Sequence, residues 1–272
     1  MNNPVPHNPL YPSAKPPRRQ QVVGRAGTES SRRALLDAVG VVLAREGLEG
    51  LSLRKVAAHA GLSHAAPGVL FGGRAAMLTA FAAEGFVQLG QRMDAAERTA
   101  TDSRDALAST GLAYVMFAVD EPLRFQVMFR TDRLLPRDPE YLTACRDSFL
   151  PLQRAIDRAI AEGVVDDDET DDVMLAAWSL VHGLANLWFS KHLAGRVQPD
   201  PLVLGRQITR LFAHAVLSPD RARPEPIPEP LHAVHPMPQR PQGPTSAPLS
   251  KMVAEVVHGP VVESIAQAIA DA

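Results

Sequence analysis

The sequence predicts an all-α protein, and three observations lead there. Apolar residues recur three and four apart through most of residues 28–217, the spacing of one buried helix face. The segments are punctuated by helix devices: Ser, Thr and Asp starts, Asp-Pro pairs, and glycines at the ends. No stretch alternates apolar and polar residues between turn signals as a half-buried strand would, and no repeat with a period of 20–50 residues is evident.

The segments follow in order. Residues 1–27 hold six prolines and little periodicity, so an extended arm is expected, ending in Arg18, Arg19 and Arg25. A first helix is predicted from Thr28 as N-cap to Glu46, with Leu35, Val39, Val42 and Leu43 inward and Gly47 closing it. Ser52 caps a short second helix through Val56, Ala57 and Ala60, and Gly61 supplies a left-handed turn that glycine adopts cheaply. Ser63 is expected to cap the next short helix, HAAPGVLF, which Leu62, Val69 and Phe71 would hold by packing because Pro67 and Gly68 are poor interior residues.

From Arg74 a long helix carries Met77, Leu78, Phe81, Gly85 and Leu89 towards a core and fades near Arg98. Another covers about 103–120, broken at Glu121-Pro122 before Phe125, Met128 and Phe129. Asp138-Pro139 opens a helix expected to run to about Glu162, and Asp200-Pro201 repeats the device before 202–217. Between them the acidic run from Asp166 to Asp172 caps a helix over about 170–194. That helix is apolar on more than one face (Trp178, Val181, Leu184, Leu187, Trp188), which implies burial on several sides. Residues 218–272 contain ten prolines between Pro219 and Pro248, with apolar spacing for a small terminal helix at 252–270. The domain reading is an arm over 1–27, a small helical head over 28–74, a helical body over 75–217, and a tail over 218–272.

The composition of the 272 residues narrows the function. No run of about 18 uncharged apolar residues could span a bilayer, and the N-terminus lacks the hydrophobic centre of a secretory leader, so export is not expected. The single cysteine, Cys145, leaves no intramolecular disulfide and too few thiols for structural zinc, which fits a reducing cytoplasmic compartment. The run Asp166 to Asp172 lacks the interior glycine and closing glutamate of a calcium loop, and is read as a solvated capping turn. The net charge of -2 hides a gradient. From Arg18 to Arg74 nine basic residues face four acidic ones, whereas from Ala75 to Leu217 fourteen face twenty. A basic head on an acidic body is the footprint of a modular nucleic-acid binder.

Two short helices joined by a glycine turn are what a helix-turn-helix needs to lay its second helix in the major groove of duplex DNA. Small residues there, Ala65, Ala66 and Gly68, let the backbone approach, Val69 is carried on the same helix, and Ser63 and His64 can reach a base edge or a phosphate. The free N–H groups at the start of the second helix would face a phosphate, with Ser52 and Arg54 reinforcing them. The candidate DNA-binding residues are therefore Ser52, Arg54, Ser63, His64, Ala65, Gly68, Val69 and Arg74.

The segment RALLDAVGVVLAREGLEGLSLRKVAAHAGLSHAAP, followed by LFGGRAAMLTAFAAEGF, resembles the DNA-binding region of the TetR family of transcription regulators. GLAYVMFAVDEPLRFQVMF and AAWSLVHGLANL resemble family members whose C-terminal domain bears a Trp-His-Gly signature, here Trp178, His182 and Gly183. The resemblance implies a DNA-binding domain over 28–74, an effector-binding and dimerisation domain over 75–217, and a homodimer paired through the last two body helices, about 170–194 and 202–217. It also implies a small effector whose binding changes the spacing of two DNA heads, releasing the repressor from its operator. Two positions depart from the pattern: Gly68 and Leu70 stand where a tyrosine and often a histidine are usual, which removes an aromatic phosphate contact. Arg74 stands where lysine is common and keeps a basic contact.

For the effector, Phe117, Phe125, Met128 and Phe129 are candidates for an apolar wall, and Trp178 and His182 for contacts from the long helix; core packing is the competing role for all six. No cofactor and no metal site are expected, and no nucleophile elbow, phosphate loop or dinucleotide fingerprint suggests an enzyme. The alternative kept open is a TetR-like protein that has lost operator binding and serves as a ligand- or protein-binding module.

Overall fold

A computed structural model describes residues 25–190 and 200–218. The arm, the tail with its expected terminal helix, and the end of the 170–194 helix beyond Ser190 lie outside the described residues. Within them the chain is all-helical, with ten α-helices, two single 3-10 turns and no strand.

Helices α1 (Arg25–Gly50), α2 (Leu53–His59) and α3 (Ala66–Phe71) form a head. Helix α1 begins before Thr28, which lies inside it rather than capping it, and Gly47 breaks it at φ 68°. Leu35, Leu36, Val39, Val42 and Leu43 of α1 are buried against Leu51, Val56 and Ala57. Each fully buried side chain of this size contributes roughly 1.5–3 kcal/mol, enough to fix helices too short to stand alone. Ser52 caps α2, accepting from the Lys55 N–H at 3.4 Å, and Gly61 turns the chain at φ 66°.

Two arginines tie the head's helix ends. The Arg74 guanidinium donates to Leu51 O at 3.1 Å and Leu48 O at 2.6 Å, at carbonyls where α1 ends and the helical bonding runs out. Arg32 donates to Leu70 O at 2.9 Å and lies 4.5 Å from the Phe71 ring centre, which clamps the end of α3.

The body is built on α4 (Arg74–Arg98) and α5 (Ser103–Asp120), packed against each other and against α6 (Pro122–Met128). Met77, Leu78, Phe81 and Leu89 are buried as the spacing requires. One long helix was expected from 138 to 162, but two are found, α7 (Pro139–Ser148) and α8 (Leu150–Ala161). Pro151 starts the second, because proline has no N–H to donate into the first and its ring crowds the preceding turn. Asp138 caps α7. The acidic run forms a capping box between Asp166 and Glu169 ahead of α9 (Thr170–Phe189), and Asp200 caps α10 (Pro201–Val216). Helix α10 lies close along α5, where an added Cβ at Gly111 would meet Thr209 Cγ2 at 3.1 Å. Glu97, 6% exposed, holds α4 to α8 through Arg154 at 3.1 Å and Arg158 at 2.9 Å. Among the described residues no helix is long and apolar enough to cross a membrane.

Helix α9 departs from the expected all-round burial. Val173, Met174, Ala177, Val181 and Ala185 are buried, while Leu175, Ser179, Gly183 and Leu187 form an exposed stripe.

Candidate functional site

The first site is the outer surface of the head. Pro67 seats α3 on the core with Leu70 and Phe71 half-buried, which turns Gly68 and Val69 outward. Val69 was expected to pack; it is instead 80% exposed, because the helical register that buries Pro67 and Leu70 points position 69 away. Ser63 does not cap α3 either. Ala65 occupies the N-cap without a side-chain bond, and Ser63 contributes its backbone carbonyl to the Ala66 N–H at 2.9 Å. Its hydroxyl stays on the surface beside His64 and Ala65.

The expected residues Ser63, His64, Ala65, Gly68 and Val69 thus share one exposed strip, and nothing lies within 4 Å of a Cβ built on Gly68. Arg54 is exposed and takes part in no ion pair among the described residues, whereas neighbouring Lys55 is paired with Glu46. Ser52 is occupied as a cap, and Arg74 faces α1 rather than outward. A strip of small, apolar and weakly basic side chains on a short helix suits the major groove, where a valine methyl can pack on a thymine methyl and an imidazole can reach a base edge.

The second site is a cavity of about 30 Å³ lined by α4, α5, α7, α8, α9 and α10. Its wall includes Leu89, Leu107, Thr110, Gly111, Tyr114, Ser148, Phe149, Leu152, Ala177, Trp178, Val181 and Phe212, and no charged residue. Of the six residues expected at an effector site, Trp178 alone lines it. His182, one turn further along α9, binds Tyr114: the phenol oxygen and His182 Nδ1 are 2.9 Å apart. Phe125 packs tilted and Phe129 edge-on against His182, with ring centres 5.6 and 4.6 Å away. Phe117 and Met128 are wholly buried core, Met128 resting on Gly85 of α4. Core packing, the competing role, therefore accounts for Phe117 and Met128.

Tyr114 is the residue that sequence reading passed over. Thr110, Gly111 and Tyr114 share one face of α5, opposite Ala177, Trp178 and Val181 on α9; that matching spacing was visible, but not which helices meet. Burial raises the Tyr114 phenol's pKa well above its usual value, opposed by the nearby Trp178 indole, and lowers that of His182. At neutral pH both groups are uncharged. Burial also pushes the Cys145 thiol up to about 12, which leaves it an unreactive core residue. No cluster of three potential metal ligands occurs among the described residues.

The geometry defines a class: an all-helical protein with a helix-turn-helix head on a helical body. Residues 107–212 match the family model described as the tetracyclin repressor-like C-terminal domain. A structure of a protein with unknown function from Rhodococcus sp. RHA1 is similar at a TM-score of 0.61 and 28% identity, covering 69% of this chain and 96% of that one. A bacterial regulatory protein in the TetR family from Rhodococcus RHA1 follows at 0.56 and 20%, over 68% and 96%. A TetR-family transcriptional regulator from Pectobacterium atrosepticum gives 0.54 and 23%, over 71% and 97%. No curated protein matches the sequence. The fold is that of the TetR-family transcription regulators.

Proposed function

We propose that the chain is a homodimeric TetR-family transcription repressor that works in the cytoplasm, binds an operator through residues 28–74, and is released by a small, largely apolar effector. The observation that carries this reading is the exposed strip of Ser63, His64, Ala65, Gly68 and Val69 along α3 and the turn before it, within a helix-turn-helix. Base reading falls to this strip, and backbone positioning falls to Arg54 and to the N–H groups at the start of α2, which Ser52 caps.

The dimer reading is supported by the exposed apolar side chains on the last two body helices: Leu175 and Leu187 on α9, Leu202, Val203 and Leu211 on α10. Pairing across a two-fold axis would bury them and set the two heads at the spacing of adjacent half-sites.

Release is supported by the size of the cavity and by the role of α6. A drug-sized molecule needs roughly 300 Å³ or more, against the 30 Å³ enclosed here. An effector therefore binds a different body conformation and shifts the population towards it. Helix α6 touches both ends of the path. Phe125 on α6 and the adjoining Phe129 join the aromatic cluster around His182, and Arg124 donates to Phe81 O at 2.8 Å with its guanidinium 3.9 Å from the Phe81 ring centre. Beyond α6, Arg133 pairs with Glu49 at the end of α1 at 2.7 Å.

The test is fluorescence anisotropy of the protein on DNA from its own upstream region and on a scrambled duplex, over a range of salt concentrations. Selective binding of two protomers to a palindrome is expected. Replacing Arg54 and His64 together with alanine should weaken it about tenfold or more without lowering Tm. Weak, salt-dependent binding to both duplexes would favour the alternative, a module that no longer reads an operator. Gly68 and Leu70, in place of the usual aromatic and histidine, motivate that alternative.

A further inference from the structure

The chemistry of the cavity wall specifies what kind of effector can be held there; this inference rests on the reading of the body as an effector-binding domain. Each serine and threonine hydroxyl of the wall already donates to a carbonyl of its own helix. Thr110 Oγ1 reaches Ala106 O at 2.9 Å, Ser148 Oγ reaches Cys145 O at 2.7 Å, and Thr209 Oγ1 reaches Arg206 O at 3.4 Å. The Tyr114 hydroxyl is engaged with His182 Nδ1. The Trp178 Nε1–H is different: it is buried, and although the indole lies beside the Tyr114 oxygen, it makes no well-aligned hydrogen bond among the described residues. An unspent donor in an apolar interior is costly, and a ligand atom that accepts from it recovers that cost on binding.

The remainder of the wall excludes other chemistries. With no Lys, Arg or His lining the cavity, a carboxylate or phosphate would be stripped of water without a counter-charge. A pure hydrocarbon would fill the space but leave the indole donor unsatisfied. We propose that the body binds a neutral, largely apolar carbonyl compound, whose carbonyl oxygen accepts a hydrogen bond from Trp178 Nε1–H. Trp178 sets this preference, and the apolar side chains of α4, α5, α8 and α10 set only size and shape.

Three probes of matched shape separate these chemistries: acetophenone, ethylbenzene, in which a methylene replaces the carbonyl, and benzoate. Each is titrated into the full chain carrying Trp188→Phe, so that the remaining indole N–H resonance belongs to Trp178. Affinity is read from the rise in Tm with ligand concentration. Acetophenone should bind about tenfold tighter than ethylbenzene, move the Trp178 indole proton downfield where ethylbenzene does not, and outcompete benzoate. In Trp178→Phe the preference for the ketone should vanish while ethylbenzene binding persists.

Equal binding of acetophenone and ethylbenzene, an indole resonance unmoved by bound ketone, or tighter binding of benzoate would each overturn the carbonyl assignment and leave the effector-binding body intact. If none of the three changes Tm or any body resonance, the cavity as an effector site falls as well. The resonance test uses native Trp178, so it decides the matter even if the phenylalanine variant fails to fold.

Discussion

His182 sits where the packing of the body and its ionisation meet. Its ring is enclosed by Phe125, Phe129 and Trp178, and its Nδ1 is engaged by Tyr114. Burial lowers its pKa below the usual 6.5, so the unfolded chain takes up a proton that the folded chain refuses. The unfolded state then binds more protons as pH falls below the unfolded value, and stability falls with it. The Tm of the native protein should therefore drop more between about pH 7.5 and about pH 5.5 than that of His182→Gln, which has no proton to gain. Equal drops in the two proteins would show that His182 is not the group responsible.

Among the helices, the junction of head and body depends on Arg74. The sequence suggested a phosphate contact for it, but the guanidinium spans two carbonyls at the end of α1 while its backbone opens α4. A fork of two donors is geometry that lysine cannot reproduce. Arg74→Ala is expected to lower stability by about 1–2 kcal/mol and to speed hydrogen exchange at the end of α1. Operator affinity should fall as a consequence. Arg74→Lys separates the two roles: if charge alone matters, lysine restores DNA binding, and if the clamp matters, it does not.

For the whole molecule, the proposed dimer turns on the exposed apolar residues of α9 and α10. Leu211 is 68% exposed on α10, and Gly183 on α9 has open space where a side chain would stand. Small residues between leucines let two helices approach closely. Leu211→Glu should leave the monomer folded, since the residue touches solvent, but should convert the dimer to monomer in light scattering and sharply reduce affinity for a palindrome. A variant that stays dimeric would place the two-fold contact elsewhere.

Much of this architecture was legible in the sequence because the signals were local. The span of α5, the caps Ser52, Asp138 and Asp200, the glycine turns at Gly47 and Gly61, and the acidic capping turn all follow from a few neighbouring residues. The break at Leu150-Pro151 was equally local and was passed over. Trp178, His182 and Gly183 lie close together in the sequence, but their division was not legible there: Trp178 and His182 point into the body while Gly183 faces outward.

What the sequence by itself determined is the all-helical fold class, the helix-turn-helix and its exposed small residues, because helix periodicity and capping act within a few residues. Only the tertiary structure decided that Arg74 clamps α1, that Val69 is exposed, that Tyr114 binds His182, and that the Trp178 indole remains unspent. These depend on which faces of distant helices meet, and the pairing of faces is set by packing between residues far apart in the chain.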